Sequence, residues 1–115
     1  MMAERDYTDC LQDIQDAILD IFAFTQGLDF DSFVGDKKTL YAVIRALEII
    51  GEATKKIPAS MKKNFPDIPW KEMAGFRDKL IHEYFGSNTR VVWNTVTDDI
   101  PGIQPLIADL VKKEG

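Results

Sequence analysis

"DKKTLYAVIRALEIIGEATKKI", residues 36–57, reads as one helix with two apolar sides. Leu40, Val43, Ile44, Leu47, Ile50 and Thr54 recur at intervals of three and four and draw a core stripe. Ala42, Ala46, Ile49 and Ala53 recur at four, three and four, and draw a second one. A helix apolar on two sides is buried on two sides, so this one is either central in a bundle or part of a subunit contact. The small residues of the second stripe let a neighbouring helix approach closely.

Working outward, the same rhythm continues in both directions. Tyr7, Leu11, Ile14, Ile18 and Ile21 mark a first helix. Asp6, Asp9, Asp13, Asp16 and Asp20 run beside them as an acidic stripe, either a solvated edge or a docking face for a basic partner. "GLDFDSFVGD", residues 27–36, reads as a loop, and "IPASMKKNFPDIPW", residues 57–70, as an irregular connection broken by three prolines. A third helix is expected from Pro69, with Met73, Phe76, Leu80 and Tyr84 on one face and a stop by Gly86. Ser87, Asn88 or Thr89 can cap a fourth, containing Val92, Trp93 and Val96. Asp98 or Asp99 followed by Pro101 predicts a break and a fresh start, with Ile103, Leu106, Ile107 and Leu110 in the last helix. No run alternates apolar with polar as a strand would. The expected fold is all-α, an antiparallel bundle of four to five helices forming a single domain over residues 1–115.

Composition narrows the function. At 115 residues, with 45% hydrophobic and 29% charged residues, the chain can bury one real core. No apolar run approaches the ~20 residues that span a bilayer. "MMAERDYTDC" lacks a secretory pattern, and Cys10, the only cysteine, cannot form an intrachain disulfide, so a cytoplasmic location is expected. The net charge of −5 is uneven. Residues 1–36 carry one cation against nine acids, whereas residues 37–79 carry ten cations against five acids. The acidic whole argues against a protein that coats itself in nucleic acid, and no DNA partner is expected; the basic middle third is either a solvated face or a local surface for a phosphate-bearing ligand.

"RDKLIHEY", residues 77–84, holds the only histidine. On a helix at ~100° per residue, Arg77 and Tyr84 lie on nearly one line, and Asp78 and His82 are neighbours one turn apart. Asp78 can then orient one imidazole nitrogen and raise the basicity of the other. Arg77 offers a planar fork of donors to phosphate oxygens. These are among the parts needed to cut RNA without a metal, because the 2′-hydroxyl is the nucleophile; the competing reading of the same residues is a crowded polar helix edge with a structural histidine. A single His82 cannot easily serve as both base and acid, so the chemistry asks for a second copy of the chain. Arg45, Glu48 and Glu52 form a polar strip beside the core, with Glu52 in reach of Arg77 across the helix pair. Glu48 and Glu52, one turn apart, are too sparse a set for a metal site, so no metal and no cofactor are expected.

Two longer segments carry a resemblance. "AGFRDKLIHEYFG" followed by "VVWNTVTDDIPGI" resembles the HepT-like toxins of the HEPN superfamily, whose motif of Arg, four residues, His, one residue and Tyr is matched by Arg77, His82 and Tyr84. Asp78 fills the place after the arginine that often holds Asn or Asp. "VIRALEIIGEATKKIP", with Arg45, Glu48, Gly51 and Glu52, is similar to the family's second helix. The resemblance implies a homodimeric helical bundle acting on RNA as a metal-independent ribonuclease toxin, with Arg77 and His82 as the catalytic pair at the dimer cleft and Asp78 positioning them. It also implies a minimal nucleotidyltransferase antitoxin as partner, transferring adenylate from ATP to Tyr84. A bulky anion beside Arg77 would occupy the place of the RNA phosphate. Asp78 in place of Asn adds negative charge where RNA approaches. The competing expectations are a noncatalytic HEPN subunit that binds a nucleotide or partners a nucleotidyltransferase, and a helical protein with no ligand at all.

Overall fold

The computed structural model describes residues 7–85 and 88–114, and the side chains of residues 7–78 and 88–114. The chain runs through α1 (Tyr7–Thr25), α2 (Phe30–Gly35), α3 (Lys37–Lys55), α4 (Ala59–Asn64), α5 (Trp70–Phe85), α6 (Thr89–Asn94), a π-helical turn (Thr95–Asp99) and α7 (Ile100–Glu114). Four long helices, α1, α3, α5 and α7, build the bundle, and no strand occurs among the described residues.

The two apolar sides of α3 have a simple cause. It packs against α1 on one side and α5 on the other, which makes it the central helix. Leu40, Val43, Ile44, Leu47, Ile50 and Thr54 are all buried, as are Ala46 and Ala53 of the second stripe. The hydroxyl of Thr54 donates to the Ile50 carbonyl at 2.6 Å, so its oxygen is satisfied inside the core. On the other side of α1 lies α7. The Tyr7 hydroxyl donates to the Glu114 carboxylate at 2.8 Å, tying the start of α1 to the end of α7 and fixing the pair as antiparallel.

Three segments depart from the sequence expectation. Residues 27–36 are not simply a loop, because Phe30–Gly35 forms α2. Asp29 accepts a hydrogen bond from the Ser32 amide at 2.8 Å, and Phe33 is fully buried, so a cap and an anchor stabilise a helix too short to show a period. Residues 57–70 likewise contain α4, anchored by buried Met61. There is no break at Asp98 or Asp99. The helix widens into the π turn, where the Ile100 amide donates to the Thr95 carbonyl, and continues straight into α7. Pro101 has no N–H to return to residue 97, and the wider turn just before it accommodates that loss.

Other expectations hold. Asn88 caps α6, accepting from the Val91 amide at 3.3 Å; Asp36, read from the sequence only as the start of α3, caps that helix too, accepting from the Thr39 amide at 3.2 Å. Trp70 opens α5, where the Met73 amide bonds the Pro69 carbonyl at 3.0 Å and the Trp70 indole bonds the Phe65 carbonyl at 3.0 Å. Met73 and Phe76 face the core. The side chains of Leu80 and Tyr84, and residues Gly86 and Ser87, fall outside the described residues.

Candidate active site on helices α3 and α5

Arg77 and Asp78 lie on the exposed side of α5, at its midpoint. The helix continues unbroken to Phe85, so the backbone carries His82 about 7.5 Å further along the same axis and Tyr84 two turns beyond Arg77. The side chains of His82 and Tyr84 lie outside the described residues.

What seats this part of α5 is Gly51 on α3. A Cβ at that position would come within 3.0 Å of the Arg77 amide nitrogen and 3.1 Å of the Arg77 Cβ. The absence of a side chain therefore lets the two helices meet backbone to backbone at the residue that would bind phosphate. Glycine in a helix interior costs about 1 kcal/mol relative to alanine, and close approach is the physical return for that cost.

One helical turn on from Gly51, Lys55 reaches across to Asp78. Its Nζ stands 3.3 Å from Oδ1 and 3.4 Å from Oδ2. Both side chains are exposed, so the pair adds at most about 1 kcal/mol to stability. Its electrostatic effect matters more. A bare carboxylate beside Arg77 would repel an approaching phosphate, and the ammonium of Lys55 offsets that charge. Sequence reasoning did not find Lys55. The signal was available in its spacing from Gly51, which puts both residues on the side of α3 that faces α5.

Arg45 and Glu52, which could have supported Arg77, pair with each other instead. Arg45 Nη1 lies 3.2 Å from the Glu52 carboxylate and 3.7 Å from that of Glu48. Arg45 and Glu52 line a groove of about 360 Å3 between α1 and α3, together with Asp13, Ile49 and Lys56. Glu52 thus faces α1 rather than α5. Cys10, at the edge of this groove, is a free and buried thiol.

The chain is thus an all-α bundle that presents an exposed arginine on α5, seated on a glycine of the central helix. The Ribonuclease HepT-like family model matches residues 14–110, and the chain belongs to that family. It is 55% identical over 101 residues to the "Probable ribonuclease HepT" of Thermococcus cleftensis, covering 88% of this chain and 92% of that one. It is 46% identical over 111 residues to a "Putative RNase" of Methanocaldococcus jannaschii, covering 96% of each. No solved structure gives a significant match. Among the described residues no helix is long and apolar enough to cross a membrane.

Proposed function

We propose that the protein is a metal-independent endoribonuclease toxin that cuts RNA at a site shared by two copies of the chain. Membership of the HepT-like ribonuclease family supports the reaction class. The observation that carries the site is the seating of Arg77: exposed, on a continuous helix that also bears His82 and Tyr84, and with the neighbouring Asp78 offset by Lys55.

In this reading Arg77 binds the scissile phosphate and holds the charge that grows on its nonbridging oxygens. His82 takes the proton of the 2′-hydroxyl, whose oxygen attacks phosphorus and forms the 2′,3′-cyclic phosphate. The bond to the 5′-oxygen breaks, and that oxygen receives a proton from His82 of the partner subunit. An imidazole near its ordinary pKa of about 6.5 can play either part near neutral pH. Asp78 positions the pair. The nucleotidyltransferase partner silences the toxin by transferring adenylate to Tyr84, which sets a phosphate where the RNA phosphate must sit.

The test is RNA cleavage by the purified protein in EDTA. Arg77→Ala and His82→Ala should each abolish it while leaving the melting temperature unchanged. Retained cleavage in both variants removes the assignment. The net charge of −5 favours a second reading, a noncatalytic subunit bound to a nucleotidyltransferase. It predicts no cleavage, RNA or nucleotide binding weakened by Arg77→Ala, and little effect of His82→Ala. Intact mass after coexpression with a candidate nucleotidyltransferase reads the partner directly, through adenylate mass mapping to Tyr84.

A further inference from the structure

The ribonuclease reading leaves unexplained a stack of side chains at the end of the bundle where α2 meets α6. Phe33 is fully buried, and the Trp93 ring lies against it at 4.9 Å between centroids. Phe30 meets Trp93 edge to face at 6.4 Å. Arg90 completes the series, with its guanidinium carbon 3.6 Å from the centre of the Phe30 ring. We propose that Arg90, held over Phe30, is a stacking platform for a nucleobase of single-stranded RNA beside the α5 site; this rests on the ribonuclease reading.

Three features carry it. The first is orientation. At 3.6 Å from the ring centre, the contact distance of stacked carbons, the guanidinium has one face on Phe30, and Arg90 is exposed. A guanidinium plane with a free outer face is a surface on which unpaired RNA bases stack, and its N–H edge can still reach phosphate. The second is preorganisation. Phe30 is half-buried, and the series is rooted in the core at Phe33, so the arginine is held before any ligand arrives. No carboxylate pairs with Arg90 among the described residues. The third is position. Helix α6 packs against α5, and Arg90 lies only eight positions after His82 in the chain. Three helical steps and five extended ones bound the distance between their α-carbons at about 22 Å. A short single strand held at His82 can therefore reach Arg90 with a flanking base.

If Arg90 merely covered the Phe30 ring, a lysine stem would cover it equally well. If it were merely a positive charge, lysine would again suffice. A planar stack needs arginine, and it needs the aromatic ring beneath. The experiment measures binding of a fluorescein-labelled single-stranded RNA to His82→Ala protein, so that cleavage does not enter, and compares it with the same protein carrying Arg90→Lys or Phe30→Leu. Both additional changes should weaken binding by at least about fivefold, the lower end of a single base-stacking contribution. Melting temperatures should move little, because lysine and leucine still cover the apolar surface. In the cleaving protein the change should fall on KM rather than kcat. Binding unchanged in either variant overturns the platform: in Arg90→Lys it would mark a simple charge, and in Phe30→Leu a ring that plays no part. Failure of His82→Ala protein to bind RNA at all overturns it too. Failure of the unmutated protein to cleave RNA strikes the nuclease reading instead, and the binding comparison still decides the platform.

Discussion

A methyl group added to the α-carbon of Gly51 would lie 3.0 Å from the backbone nitrogen of Arg77. Backbone cannot rotate out of the way as a flexible side chain can, so Gly51→Ala must push α5 off α3 by a few tenths of an ångström at Arg77, the residue proposed to bind phosphate. Overpacking of this kind costs about 1–3 kcal/mol, while alanine in a helix returns up to about 1 kcal/mol. The melting temperature should therefore fall only modestly. Cleavage should fall roughly tenfold, because misplacing a phosphate-binding group by even part of an ångström erodes a pre-formed geometry. Steady-state kinetics set beside thermal melting check the disproportion. A loss of activity that merely tracks loss of folded protein would show that the close approach serves packing alone.

Lys55 should matter to RNA and hardly at all to stability. Removing it in Lys55→Ala leaves the Asp78 charge facing the phosphate, and KM should rise several-fold at low salt, with the effect shrinking as salt screens it. The sharper outcome is in the double variant. Asp78→Asn removes the charge that Lys55 offsets, so Lys55→Ala on that background should cost little. A double-mutant cycle on kcat/KM reads this coupling. Additive effects of the two changes would separate Lys55 from the site.

The long helices were legible in the sequence because each buries a stripe that repeats over several turns. The two-sided pattern of residues 36–57 pointed to a central helix before any contact was known, and its partners are α1 and α5. The short helices α2 and α4, of six residues each, were not legible. Six residues span less than two turns, so no period can show, and their stability comes from single anchors such as Phe33 and Met61. The unbroken passage from the π turn into α7 was missed for another reason. Pro101 is a breaker only where the preceding backbone keeps α geometry, and the wider turn removes that condition. Within the candidate site, the placement of Arg77 and Asp78 together on one helix was legible by spacing. The pairing of Asp78 with Lys55, and of Glu52 with Arg45 rather than with Arg77, depends on how α3 and α5 sit side by side, which no single-helix spacing encodes.

Phe33 holds α2 and the Phe30–Arg90 stack at once. Phe33→Ala should destabilise the fold by about 3–5 kcal/mol, the usual cost of emptying a buried phenylalanine site. Phe33→Leu should cost far less, since it keeps most of the volume. Urea denaturation read by tryptophan fluorescence suits both, because Trp93 lies against Phe33. A loss below about 1 kcal/mol for the alanine variant would show that α2 is an ornament rather than an anchored element.

The two aspartates that start α2 and α3 should make the protein acid-sensitive at one end. Hydrogen bonds from Ser32, chiefly its backbone amide, hold the Asp29 carboxyl below its ordinary 3.8, and the hydroxyl and amide of Thr39 do the same for Asp36. Both groups bind protons less readily folded than unfolded. Their contribution is therefore fully present above pH 3.8 and is lost as the pH falls through the lowered folded values. Asparagine can still cap a helix but does not titrate in this range. Asp29→Asn and Asp36→Asn together should leave the melting temperature at pH 7 nearly unchanged and flatten its decline below about pH 4. Melting curves of the double variant and the unmutated protein from pH 7 to pH 2 measure the difference; parallel curves throughout would mean that the caps do not titrate with folding, and that the acid sensitivity arises elsewhere in the chain.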